Sequence, residues 1–202
     1  MNIPLLLLTI IFAIWLRYEI AKSNEQQKRS FQYFLQRERE ANATRRKDIS
    51  NLNYITVDLK RLPLKDSEDD TVNSYRDTIV SLANCKIVNL TGLTNTDLKY
   101  RYGAANLELL SEYDSNFTKL VSFLHKWGER LYHNGKKSDA VLVLEYAVSC
   151  GSDVTKTYRL LAKIYKEKNT LDQIDYLIDL IPSTTILRKD ALIQELKQIK
   201  VS

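Results

Sequence analysis

Residues 115–151 read SNFTKLVSFLHKWGERLYHNGKKSDAVLVLEYAVSCG, and residues 152–183 continue SDVTKTYRLLAKIYKEKNTLDQIDYLIDLIPS. Apolar residues recur through this stretch at the i, i+3, i+4, i+7 spacing of one helix face. Phe117, Leu120, Leu124, Trp127 and Leu131 form a first run, with Ser115 as its cap and Asn134-Gly135 as its stop. Ala140, Leu144, Ala147 and Val148 form a second, ending at Cys150-Gly151. Tyr158, Leu161, Ala162 and Tyr165 form a third, begun near Ser152-Asp153. Leu171, Ile174, Leu177 and Ile178 form a fourth, closed by Pro182, and a last helix is expected over about Ile186 to Ile199. Helices of this length joined by short turns predict antiparallel hairpins stacked side by side.

Working back from Asp114, Leu98, Leu107 and Leu110 predict another helix with Thr94 or Thr96 as cap and Asp97 in its first turn, interrupted at Gly103. Before it, Val72, Tyr75, Ile79 and Leu82 repeat at helical spacing behind the acidic run Asp66 to Asp70, which suits a helix start. Residues 49–64 are apolar-rich without a sustained period, and Pro63 disfavours helix at Leu62, so 48–65 is expected to be an extended, packed connector. The chain has 202 residues with only five glycines and three prolines, which argues against a turn-rich β fold. The fold class expected is all-α.

Residues 3–16 read IPLLLLTIIFAIWL without a charge. This is slightly short for a bilayer helix, but Arg17 can snorkel, and Trp15 and Tyr18 sit where an interfacial aromatic belt would. The rival reading, a cleaved signal peptide, would want a basic start, which Met1-Asn2 lacks, and a small-residue cleavage site, which is poor around Ala21-Lys22-Ser23. Residues 1–21 are therefore expected to be a transmembrane helix, with Trp15, Arg17, Tyr18 and Lys22 at the membrane interface. Between positions 17 and 47 nine basic residues outnumber four acidic ones, an excess of five that equals the chain's whole formal charge of +5. Basic flanks stay on the cytoplasmic side, so the expected topology is amino terminus outside and carboxy-terminal domain in the cytoplasm. Residues 22–47 form the basic helical spacer in this division and 66–202 the helical domain. Phe31, Phe34 and Leu35 make a small apolar face on the spacer. Docking on its own domain is the favoured expectation for this face, with the bilayer or a second copy, as in a homo-oligomer, as alternatives.

A 34-residue frame begun at Val121 puts small residues at Gly128, Ala140 and Ala147, and large apolar ones at Leu124, Trp127, Leu131 and Leu144. Begun again at Thr155, it gives Tyr158, Leu161, Ala162, Tyr165, Ile174, Ile178 and Ile181. Over about residues 118–183 this resembles the tetratricopeptide (TPR) repeat. The departures are Leu131 for the usual tyrosine, Ser152 for the usual proline, and Ile174 with Ile181 for second-helix alanines. The resemblance implies a concave groove lined by first-helix positions: Ser122, His125, Glu129 and Tyr132 in one unit, and Lys156, Arg159, Lys163 and Lys166 in the next. Those four cations fall on one helical face and would favour an acidic peptide or a chain carboxylate. The lysine and asparagine of the chaperone-binding carboxylate clamp are not found at His125 and Glu129, so a chaperone tail is not implied.

Catalytic and metal patterns are lacking. His125 and His133 stand eight apart with no metal-ligand spacing, Cys85 and Cys150 form no CxxC, and the glycines form no phosphate loop. A body that is electrically neutral outside 17–47 does not suit nucleic acid. The expected function is a non-enzymatic, membrane-anchored TPR-like adaptor without cofactor that recruits a protein or peptide partner. The alternatives are a structural subunit of a membrane complex, and an extracytoplasmic envelope factor with an inverted anchor.

Overall fold

A computed structural model describes residues 3–201, with side chains from Leu7 onward. Among the described residues the chain is all-helical, with eight α-helices, short 3-10 turns and no strand. It divides into two compact units. One comprises the residues up to Asp48 together with Thr94–Leu107, and the other Ile49–Leu93 with Glu108 onward. The stretch 94–107 thus belongs with the N-terminal helix rather than with the rest of 66–202.

In the first unit α1 (Ile3–Asn42) is one helix of 40 residues, about 60 Å long at 1.5 Å per residue. The spacer helix was expected to reach residue 47; it ends at Asn42, and Thr44 to Lys47 turn onto α3 (Asn95–Tyr102) instead. The attachment is polar. Arg37 pairs with Asp97 at 3.1 Å, Glu38 accepts from Lys99 at 2.9 Å and from Thr96, and Glu40 accepts from Tyr100. Hydrogen bonds from Thr96 and Lys99 hold the Glu38 carboxyl below its ordinary range. Fully buried Asn106 donates to the carbonyls of Lys47 and Tyr102 at 2.8 and 2.7 Å and accepts from Arg46 at 3.0 Å. Thr94 caps α3 in a reciprocal box with Asp97, as the sequence suggested.

The second unit holds the main core. Its connector is packed, and extended apart from a 3-10 turn at Leu59–Arg61: Val57 and Leu62 are buried, the Ile55 amide donates to the Ile87 carbonyl, and the Asp58 amide donates to the Tyr146 hydroxyl at 2.6 Å. α2 (Asp70–Leu82) is capped by Asp69, which also accepts from Arg130 at 2.6 Å and Asn134 at 2.7 Å near the end of α4. α4 (Leu107–His133) is continuous through Ser115, where a helix start was expected. The polar residues there are engaged elsewhere: Asp114 accepts from the Leu90 amide at 2.9 Å and Asn116 donates to the Lys86 carbonyl at 3.1 Å. With no cap formed, the apolar stripe from Leu110 to Leu131 runs on unbroken.

α5 (Lys137–Ser149), α6 (Thr155–Glu167), α7 (Leu171–Leu180) and α8 (Lys189–Val201) follow at short turns. α7 begins 34 residues after α5, at Leu171 against Lys137, and α8 begins 34 after α6, at Lys189 against Thr155. Cross-contacts share that offset. His125 on α4 meets Thr157 on α6, 32 residues on; Tyr132 meets Glu167, 35 on; and Arg159 on α6 meets Glu195 on α8, 36 on. α4, α6 and α8 therefore run parallel, each displaced by about one period. α5 returns against α4 where Gly128 faces Leu144, residues almost equidistant from the intervening turn, as in an antiparallel pair. Trp127, Tyr158, Phe117 and Leu124 fill the space between the helices. The Trp127 indole N–H has no acceptor among the described residues, a cost of about 1–3 kcal/mol that the ring's buried area outweighs.

Candidate functional site

α6 supplies the floor of a groove of about 800 Å³ in the second unit. Thr155 to Glu167 presents Tyr158, Leu161, Ala162 and Tyr165 to the core, so its opposite face carries Lys156, Arg159, Leu160, Lys163 and Lys166. His125 and Glu129 from α4 and Ile199 from α8 complete the lining with Glu167. Six of the eight groove positions expected from sequence thus line one concavity. Tyr132 lies at its margin, where its hydroxyl donates to Glu167 at 2.7 Å and its ring lies 5.2 Å below the Lys163 ammonium. Ser122, placed on the same face by the repeat frame, does not line the groove.

The cations differ in what they already hold. Arg159 Nε donates to Glu195 at 2.5 Å and its Nη1 to Thr155 at 3.1 Å. Lys163 rests on the Tyr132 ring and acts electrostatically on Glu167. Lys156 lies exposed beside His125. Neither Lys156 nor Lys163 has a carboxylate within salt-bridge distance among the described residues. Glu167 is neutralised by Lys137 at 2.8 Å, and hydrogen bonds from Lys137 and Tyr132 hold its carboxyl below the ordinary range. The groove therefore keeps an excess of positive charge.

His125 is buried, not a free groove residue. Its Nδ1 lies 3.3 Å from the Thr157 hydroxyl and its Nε2 4.0 Å from Glu129. Burial pushes the imidazole below its ordinary value; Glu129 opposes this, and Lys156 and Lys126 add to it. Between that lowered value and about 6.5 the unfolded chain binds more protons, so stability falls as pH drops below about 6.5 and levels off beneath the folded value. The expected result is that His125→Gln reduces the fall in melting temperature between about pH 7 and pH 5.5. An equal fall in both proteins would show that another group carries it.

Leu160, Glu167, Ile199 and Glu195 were not singled out from sequence. Leu160 could have been, since it stands four residues after Lys156 and three before Lys163 on the same face. Carrying the 34-residue frame one step further, to Lys189, would have placed the expected last helix, with Glu195 and Ile199, in the same series as the groove helices.

On α1, Trp15, Arg17, Tyr18 and Lys22 are exposed, with Trp15, Tyr18 and Lys22 at i, i+3, i+7 on one face. Leu7, Leu8, Ile10, Ile11, Phe12, Ile14 and Leu16 are also exposed, on every side of the helix. No helix among the described residues is long and apolar enough to cross a membrane. The first part of the expected span, Met1 to Leu6, lies outside the residues whose side chains are described. In the Phe31, Phe34 and Leu35 face of the spacer, Phe31 is 59% and Phe34 52% exposed. The turn of α1 that follows is held on α3 by charged side chains.

Among the described residues no cluster of metal-ligating side chains occurs. Cys85 and Cys150 are unbridged, and burial pushes the Cys150 thiol up, away from reactivity. No known protein family, curated protein or solved structure matches this chain.

Proposed function

We propose that this chain is a single-pass membrane-anchored, TPR-like adaptor that recruits an acidic protein or peptide partner to the cytoplasmic membrane face. The observation that carries the proposal is the groove. Residues 34 positions apart converge on one concavity in which Lys156 and Lys163 have no carboxylate within salt-bridge distance among the described residues. The shared 34-residue offset of α5 with α7 and of α6 with α8 supports the repeat. Support for the anchor comes from apolar side chains exposed all round α1, an arrangement costly in water and favourable in lipid, and from the basic residues that follow. Tethering would raise a bound partner's concentration at the membrane.

The test is crosslinking and affinity capture from membranes, comparing the native chain with Lys156→Glu/Lys163→Glu. Both lysines are exposed, so the substitutions leave the core intact. A soluble partner held by the native chain and lost from the double variant is expected; an unchanged set of partners would overturn the groove as the recruiting site. Retained membrane partners would then favour a second reading, a structural subunit of a membrane complex, which the exposed Phe31/Phe34/Leu35 face supports. Protease added to intact cells should spare the domain; cleavage from outside would place it on the other side, as for an envelope factor.

A further inference from the structure

We infer that the groove's occupant is an acidic amphipathic helix lying along α6, with two carboxylates on Lys156 and Lys163 and an apolar side chain between them on Leu160 and Ile199. This rests on the groove being the recruiting site.

The first argument is spacing. Lys156, Leu160 and Lys163 stand at i, i+4, i+7 on α6, so the two ammonium groups are rooted about 10.5 Å apart along the helix axis, with an apolar patch between. A ligand helix laid alongside has the same rise, and its own i, i+4, i+7 residues match this acid–apolar–acid demand in register. An extended segment laid the same way returns to one face every second residue, at about 6.6 or 13 Å, and matches neither.

The second argument is that the chain already docks one helix of this kind on α6. α8 buries Leu192 and Leu196 and places Glu195 on Arg159, so an acid flanked by leucines meets a cation of the same stripe. That helix satisfies Arg159 and brings Ile199 to the edge of the groove. On the neighbouring flank, between α6 and α4, Lys156 and Lys163 present the same chemistry beside Glu129 and Glu167 but with no carboxylate within salt-bridge distance among the described residues. The incoming helix would repeat on one flank what α8 does on the other.

The test uses the full chain in lipid nanodiscs and fluorescence anisotropy with three synthetic labelled peptides. One is helix-forming, with Glu, Leu and Glu at i, i+4 and i+7. The second has the same residues scrambled so that the acids are spread around the helix. The third has two central prolines that keep it extended. The expected result is that the first binds at least about tenfold more tightly than the others, and that Lys156→Glu/Lys163→Glu removes its binding. If the proline peptide binds as tightly as the first and the double variant abolishes both, the groove stands and the helical occupant is overturned. If the scrambled peptide matches the first, the spacing argument falls. If no peptide binds, or the double variant binds as the native chain does, both the helix and the groove assignment fall.

Discussion

Gly128→Leu is expected to disrupt the hairpin of α4 and α5 and to cost the second unit much of its stability. A Cβ at Gly128 would stand 2.5 Å from Leu144 Cδ2 and Cγ, and Leu144 is fully buried with no room to withdraw. Even alanine, which should add nearly 1 kcal/mol of helix propensity, meets this wall. Leucine adds four carbons where one does not fit. Overpacking of a close-packed interior costs about 1–3 kcal/mol and more when the backbone must separate, against a total stability of about 5–15 kcal/mol. Chemical denaturation of Gly128→Ala, Leu144→Ala and their combination isolates the cause. The double variant should lose less than the sum of the singles by at least about 1 kcal/mol, since each change relieves the other. Strict additivity would show that the two helices do not meet through this pair.

Gly103→Val should release α3 from α1. Gly103 sits at φ +91° and ψ 144°, a conformation open almost only to glycine, which ends α3 and turns the chain back. A Cβ there would strike backbone, the Arg45 carbonyl and the Arg46 Cα at 2.7 Å, so no side-chain rotation relieves it. The strain alone is worth about 1–3 kcal/mol, and the clash adds to it. Hydrogen exchange at the Lys47 amide, which donates to the Tyr102 carbonyl at 3.0 Å, reads the outcome. Its protection should fall by at least about tenfold in the variant; unchanged protection would mean that the segment tolerates a side chain at 103.

These two glycines differ in how visible they were. Gly128 announces itself, because it falls among large apolar residues at helical spacing and so reads as a place of close approach. Gly103 lies in a polar stretch, and its role depends on Arg45, 58 positions away, which no local pattern records. The same distinction runs through the molecule. The stripes of α2 and of α4 to α7 repeat every few residues because water expels them, and that periodicity survives in the sequence. The attachment of α1 to α3 is made of charged and amide side chains such as Glu38, Lys99 and Asn106, whose pairing leaves no period. Ser115 misled because a good capping residue carries no mark of whether its neighbours are wanted elsewhere. At the groove, the cationic stripe was legible from spacing on α6. The burial of His125 and the capture of Arg159 by Glu195 depend on neighbouring helices, and helix order alone does not reveal them.

α1 is one continuous helix with no glycine or proline after Pro4, and its far end is held on α3. Such a helix transmits torque. One residue inserted midway would swing everything beyond it by about 100° and lift it by about 1.5 Å. Were the proposed lipid anchor to hold the apolar end, the length of this stalk would set both the rotation and the height at which the α3 attachment stands above the bilayer.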